Sequence, residues 1–388
     1  MNQVLLVSDQ AMPNFLPILN HDLKPDSVTL VVSDKMCNRA EWLKNEIAKH
    51  QVAILADISI GSNASDINAI QNALMEWAGE NGAVFSDSVL NVTGGTKPMA
   101  IAAQGVFQLE NRPIFYVDIA TDTIFWVSGD DRSTSIQLTN QPTLNQFFGL
   151  NGIAIKAGEF KSVIENDKWR HFYHEIAGDP SKWALPLKAL NSIASRAEHD
   201  RSLEFDPNEE EMSLPNWKEI LMLLRLNELV RYENDGRRMG QFSSIEARSF
   251  FKGIWLEHYV FALLKSFGFD RRHALMNVII EDSKGNVNEL DAVVLHNNTC
   301  YIIEDKAKDM SVGNIADNAV YKLAQLSSKM GLRAKGILVS VHNVRRSDKD
   351  RARAYNVEVF DWLPDLESNL GRIFGLQRRN NGKSGDMC

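Results

Sequence analysis

Cysteine is scarce. Cys37, Cys300 and Cys388 are the three in 388 residues, far apart and odd in number. That spacing excludes a disulfide framework and points to a reducing, cytoplasmic setting. It also excludes a zinc site built from clustered ligands. Long apolar runs are missing: no stretch approaches the roughly 20 residues that span a bilayer, so no membrane partner is expected. Met1–Ser8 has no basic lead-in and no small-residue cleavage site, and reads as a first strand instead of a signal peptide. An excess of basic charge is missing as well. The formal net charge is −8, which runs against a nucleic-acid binder. Two glycine signatures are absent: Gly-x-x-x-x-Gly-Lys-Ser/Thr anywhere, and Gly-x-Gly-x-x-Gly after the first strand. A nucleotide-binding oxidoreductase loses its main support with them.

What is present describes a folded chain. Apolar residues make up 44% and charged residues 24%, the proportions of a soluble protein. The length implies two or three domains. Charge is uneven: Arg333, Lys335, Arg345, Arg346, Lys349, Arg351 and Arg353 stand against Asp348 and Asp350 in one stretch. Such a patch can hold phosphates in an acidic protein, although a solvated loop and helix face has the same composition.

Residues 1–140 alternate apolar runs with helical patterns: strands at Val4–Val7, Val28–Val32, Val52–Ile58, Ser88–Val92, Ile114–Ile119 and Thr123–Val127, helices at Arg39–His50, from Ser65 or Asp66 to Gly79, and at Lys97–Leu109. This is the pattern of βαβ units on a mostly parallel sheet, a Rossmann-like layout whose ligands bind at the carboxyl ends of the strands. Residues 141–245 read as a mostly helical connector, with Asn208–Glu211 as an acidic break. Trp217–Leu229, Leu229–Tyr232 and Arg237–Phe242 give helix, strand and strand, compatible with a winged helix. Residues 246–375 form a third, α/β domain: helices at Phe251–Phe267 and Ala316–Met330, strands at Val287–Leu295, Cys300–Lys306, Gly336–Ser340 and Val357–Phe360. Residues 376–388 read as a flexible tail.

The third domain carries candidate chemistry. Glu304 and Lys306 are two apart on one strand and share a face; Ile303 and Asp305 share the other. A short hairpin brings Asp291 towards Glu304. Paired carboxylates repel unless a cation lies between them. An oxygen-only set suits Mg²⁺ or Mn²⁺. Such an ion positions water and neutralises charge on a phosphodiester, and Lys306 can orient or deprotonate that water and screen the charge. Glu257, on a helix, supplies a third carboxylate. Glu289 shares the face of Asp291 and is an alternative ligand. His258 reads as packing. Tyr321, Lys322, Gln325 and Lys308 are weaker candidates for substrate contact.

A helix carboxylate, then an Asp on one strand and Glu-x-Lys on the next, resembles the PD-(D/E)XK nuclease superfamily, with Glu257, Asp291, Glu304 and Lys306 as its catalytic set, the first three on the metal. That resemblance is what favours Asp291 over Glu289.

In the first domain, Thr93-Gly94-Gly95-Thr96-Lys97 joins a strand to a helix. Glycines admit a ligand close to the backbone, and a helix N-terminus suits phosphate. The plainer alternative is a tight structural turn. Together with the polar turn Ser8–Asn14 and the nuclease pattern, this motif resembles the CARF–nuclease effectors of type III CRISPR defence. The resemblance implies a CARF sensor domain, a homodimer, and a cyclic oligoadenylate, most often cyclic tetra-adenylate, bound across its two-fold axis. It implies ligand contacts from Ser8, Asp9, Gln10, Asn14, Thr93, Gly94, Gly95, Thr96 and Lys97. It also implies cleavage of single-stranded DNA or RNA in antiviral defence. The competing expectation is a ligand-responsive winged-helix transcription regulator without nuclease activity.

Overall fold

A computed structural model describes residues 1–128, 135–160, 167–232, 240–307, 310 and 315–376. Lys308, the Arg237–Met239 part of one expected strand, and the tail beyond residue 376 lie outside the described residues.

The N-terminal domain runs β1 (Asn2–Leu6), α1 (Met12–Leu19), β2 (Ser27–Ser33), α2 (Cys37–Ala48), β3 (Ala53–Ile54), β4 (Ile58–Gly61), α3 (Ile67–Glu80), α4 (Gly82–Ser86), β5 (Ser88–Asn91), α5 (Lys97–Leu109), β6 (Ile114–Asp118), β7 (Thr123–Ser128) and β8 (Ile136–Gln137). The sheet order is β3-β2-β1-β5-β6-β7-β8, with β4 also paired to β2. Its strands are parallel from β3 to β6, and β7 and β8 run antiparallel at one edge. Central β1 is buried along its whole length, as a strand covered on both faces must be. The expected strand Val52–Ile58 is instead two short ones, both paired with β2, and Asp57 between them turns aside to meet Lys44 at 2.6 Å. Asp66 caps α3 by accepting from the Ala69 N–H at 3.0 Å.

The middle segment holds α6 (Leu144–Gly149), β9 (Ile153–Glu159), α7 (Asp167–Gly178), α8 (Pro180–His199), β10 (Glu204–Phe205), α9 (Glu209–Met212), α10 (Trp217–Leu226), β11 (Val230–Tyr232) and β12 (Gly240–Phe242). From α8 onward the order is helix, strand, two helices, two strands, and the small sheet is ordered β10-β12-β11. That order of elements is compatible with the winged helix expected from the sequence. The acidic stretch 208–211 is no break. Asn208 caps α9, and Glu211 is buried beneath it in a two-pronged pair with Arg196 at 2.9 and 2.8 Å.

The C-terminal domain follows with α11 (Ile245–Ser249), α12 (Trp255–Ser266), β13 (Ala274–Asp282), β14 (Val287–His296), β15 (Thr299–Lys306), α13 (Ile315–Lys329), β16 (Ala334–Ser340), α14 (Arg346–Ala354), β17 (Val357–Phe360) and α15 (Leu366–Phe374). The expected helix Phe251–Phe267 starts late. A wide turn over Phe250–Ile254 precedes α12, with Gly253 at φ 154°, a conformation that favours glycine. The sheet is ordered β17-β16-β15-β14-β13-β9, so a strand from the middle segment forms its edge. Strand β13 is not among the strands expected from the sequence.

Packing explains the layers. One apolar cluster runs from Leu5 and Phe15 through Phe147 to Val293 on β14, Ile302 on β15 and Leu323 on α13, joining the two large domains. The opposite face of the C-terminal sheet, with Ala292 and Ile303, packs on α12 and the middle segment. Phe251, Phe261 and Leu264 are fully buried there, each contributing about 1.5–3 kcal/mol.

Candidate active site

The site lies where the C-terminal sheet forks. The last pair of the β14–β15 ladder is Ala292 with Ile303. Beyond it, β14 stays with β13 down to Val287, while β15 stays with β16 out to Lys306. Asp291 and Glu304 are the next residues on either side of this split. The Asp305 N–H, released from the ladder, donates to Asp291 Oδ2 at 2.7 Å. A backbone donor that would otherwise be buried without a partner thus fixes the carboxylate.

Glu304 lies on the α13 face, 5% exposed at its side chain, between two ammonium groups: Lys306 Nζ at 2.6 Å from Oε1 and Lys322 Nζ at 2.7 Å from Oε2. Lys306 also lies 3.9 Å from Asp291 Oδ2. Burial pulls the Lys306 ammonium down, but Glu304 and Asp291 outweigh it and raise its pKa. It is therefore held charged. Burial and then Glu304 raise the Asp291 carboxyl above its ordinary range.

Glu257 approaches from α12, on the other face. Burial first, and Asp291 next, push its carboxyl up to about 7. Asp305 shares that face. It is 7% exposed, and neither carboxylate oxygen has a hydrogen-bond partner among the described residues. Burial, Asp291 and Glu257 raise its pKa well above normal. The structure thus brings Asp291, Glu304 and Lys306 into contact, places Glu257 within their field, and adds Asp305 and Lys322. Asp305 was not singled out from the sequence; the signal that could have found it is its place after the apolar run Tyr301-Ile302-Ile303 on a strand that the structure pairs in parallel with β16 and buries on both faces.

Other candidates separate. Glu289 is exposed and paired with Ile279 on β13, though its charge still helps to raise the Glu257 carboxyl. His258 is buried at 4% exposure, with its pKa lowered to about 4 by that burial. Tyr321 meets Tyr355, ring centroids 5.5 Å apart. Of the basic stretch, Lys349, Arg351 and Arg353 are paired with Asp361, Asp317 and Asp350.

The donor set fits a hard divalent cation: Glu257 and Asp291 are carboxylates of raised pKa that repel one another, and Asp305 beside them has two buried oxygens without partners among the described residues. Among the described residues no three acidic, histidine or cysteine side chains stand as a finished metal cage; the ammonium groups hold Glu304 instead.

In the N-terminal domain two loops meet at the carboxyl ends of β1 and β5. Ser8 is half-buried, and Asp9 and Gln10 are exposed; Asp9 pairs with Arg39 at 3.3 Å. Asn14 lies directly beneath the two loops, its Nδ2 3.1 Å from where a Cβ on Gly94 would be. It is fully buried in α1, and its amide donates to the Leu6 carbonyl at 2.9 Å. A Cβ on Gly94 would fall 2.0 Å from that same carbonyl, and Gly95 has φ +74°. The glycines therefore let the second loop lie against the end of β1. Thr93 Oγ1 accepts from the Val117 N–H at 2.7 Å, and Thr96 caps α5. Thr96 and Lys97 are exposed beside the first loop's strand end.

Two family models match the chain. One, described as the Card1 CARF domain, covers residues 3–144. The other, a Card1-like endonuclease domain, covers residues 244–373. Among solved structures, protein VC1899 from Vibrio cholerae is similar with a TM-score of 0.82 at 23% identity, over 96% of this chain and 98% of that one. Can2 from Sulfobacillus thermosulfidooxidans, solved in complex with cyclic tetra-adenylate, has a TM-score of 0.77 at 24% identity, over 96% of each chain. A type III CRISPR defence DNA nuclease activated by cyclic oligoadenylate has a TM-score of 0.53 at 16% identity, over 98% of this chain and 53% of that one. At these identities the likenesses establish the fold. No curated protein sequence matches. No helix among the described residues is long and apolar enough to cross a membrane.

Proposed function

The chain belongs to the family that joins a Card1-type CARF domain to a Card1-like endonuclease domain, and from that premise we propose a phosphodiester hydrolase switched on by cyclic oligoadenylate, with cyclic tetra-adenylate as the activator. The observation that carries this reading is the fork. It sets Asp291, Glu304 and Lys306 together at the end of one hairpin, on the same chain as a CARF domain.

Glu257, Asp291 and Glu304 would hold Mn²⁺ or Mg²⁺. When bound, such an ion polarises the phosphodiester and acidifies water. Lys306, beside the metal ligands, would orient the attacking water or take its proton and stabilise negative charge growing on the phosphate. Asp305 holds Asp291 in place through its N–H. Carboxylates and a lysine would address the phosphodiester that every strand shares, and the proposed substrates are single-stranded DNA and/or RNA. Ser8, Asp9, Gln10 and the Thr93–Lys97 loop would meet the activator's phosphates and bases. A two-fold symmetric ring suits a homodimer in which each copy presents these loops. The protein would act in the cytoplasm.

The order of elements in the middle segment, compatible with a winged helix, favours one other reading, a ligand-responsive regulator of duplex DNA. Two substitutions separate them. Glu304→Ala abolishes metal-dependent cleavage and, measured without divalent metal, leaves activator affinity within about twofold, since the two sites share no residue. Lys97→Ala weakens activator binding and leaves the C-terminal domain folded. Binding to duplex DNA with no cleavage by the wild type would overturn the nuclease reading.

A further inference from the structure

We propose that Lys322 is a positioning residue for Glu304, and that α13 carries the state of the activator-binding turn to it. This rests on the switched-nuclease reading above and names the element that does the switching.

Glu304 is nearly buried, and a carboxylate there needs partners. Its two come from different places. Lys306 is on the same strand, two residues away, and cannot shift relative to Glu304 without bending β15. Lys322 is on α13 and takes the other oxygen at 2.7 Å. A small displacement of α13 therefore re-aims the Glu304 carboxylate while the strand stays in register. Lys322 is half-exposed, so its ammonium has room to leave.

The turn that follows α13 lines one cleft with the sensor. The helix stops at Lys329, and Gly331 follows with φ +84°. A Cβ at Gly331 would lie 4.0 Å from the Asp9 carbonyl oxygen and 3.9 Å from Asn151 Oδ1. Residues 330–333 and 9–12 line one narrow cleft. Arg39 braces it, pairing with Asp9 at 3.3 Å and donating to Asn151 Oδ1 at 3.1 Å. The turn whose Asp9 and Gln10 face the proposed activator is thus packed on the end of the helix that carries Lys322. About nine residues separate the two contacts, about 13 Å at 1.5 Å per residue. A helix is stiff over that length, and packed elements move between discrete positions. The near end is an ion pair and the far end a cleft shared with the activator-binding turn, which gives the coupling a physical path.

The test measures Mn²⁺ affinity by electron paramagnetic resonance, and single-turnover cleavage, with and without cyclic tetra-adenylate, in the full-length wild type, Lys322→Ala and Lys322→Arg. The wild type should bind Mn²⁺ more tightly with the activator, by a coupling in the usual range of roughly 5- to 150-fold. In Lys322→Ala the two affinities should converge to within about twofold, and Mn²⁺ should no longer alter activator affinity, because coupling is reciprocal. Lys322→Arg should restore part of the difference. A merely structural or substrate-contacting lysine would lower cleavage in both states and leave the affinity ratio at its wild-type value, which overturns the proposal. Should Lys322→Ala fail to fold, Met330→Ala, buried just past the end of α13, decides: an unchanged ratio there also overturns it. A wild type that is activated while its Mn²⁺ affinity stays constant defeats this inference alone. A wild type that cyclic tetra-adenylate does not activate defeats the reading beneath it.

Discussion

The N–H of Asp305 donates to Asp291 Oδ2 at 2.7 Å, across the point where β14 and β15 part. That bond places a carboxylate of raised pKa beside Glu304 and Lys306. Two substitutions at Asp291 should therefore behave differently. Asp291→Asn keeps an acceptor for the N–H and removes a repelling charge, so stability at pH 8 should equal or exceed the wild type. Cleavage should fall at least about a hundredfold with the lost metal ligand. Asp291→Ala leaves the N–H unpaired and should cost about 1–3 kcal/mol. Chemical denaturation and single-turnover cleavage measure both. Equal stability losses in the two variants would remove the role given to the bond.

Glu257 gives the site a pH dependence. Burial raises its carboxyl from an ordinary 4.5 to about 7. The folded metal-free protein thus prefers the protonated form. The stabilisation is complete below pH 4.5 and is lost as pH rises through about 7. Between about pH 5 and 8 the wild-type melting temperature should fall relative to Glu257→Gln. Metal binding needs the carboxylate, so Mn²⁺ affinity should move the other way, rising towards about pH 7 and then levelling. Parallel melting curves for wild type and Glu257→Gln would contradict this.

Two glycines test the sensor loop. Gly94→Ala forces a Cβ to 2.0 Å from the Leu6 carbonyl oxygen. It should destabilise by about 1–3 kcal/mol or more and weaken activator binding, because both loops must shift. Gly79, inside α3, has nothing within 4 Å of an added Cβ. Gly79→Ala should stabilise by about 0.5–1 kcal/mol and leave binding unchanged. Calorimetric melting and direct activator titration read both outcomes.

Much of this was legible in the sequence for particular reasons. α5 begins at Lys97 because Thr96 is an N-cap, and such signals are local. The Glu304–Lys306 spacing places both on one face by the period of a strand. Other features were hidden because they depend on distant partners. Glu209–Glu211 looked like a break until Arg196 supplied the pair that lets Glu211 be buried. Asn14 looked like part of a polar turn, yet the Leu6 carbonyl draws it inside. Asp305 was placed with Ile303 on the face opposite Glu304, and the packing of α12 over β15 makes it a buried acid. Lys322 stood among several helix residues until the fold set it on Glu304.

The central claim is that the forked site cuts nucleic acid only on instruction from the N-terminal domain. The most direct measurement is cleavage of labelled single-stranded DNA and RNA by the full-length protein with Mn²⁺, with and without cyclic tetra-adenylate, with Glu304→Ala alongside. The account predicts cleavage that needs both the metal and the cyclic nucleotide and is absent in Glu304→Ala. Cleavage at the same rate without the nucleotide, or at the wild-type rate in Glu304→Ala, would contradict it.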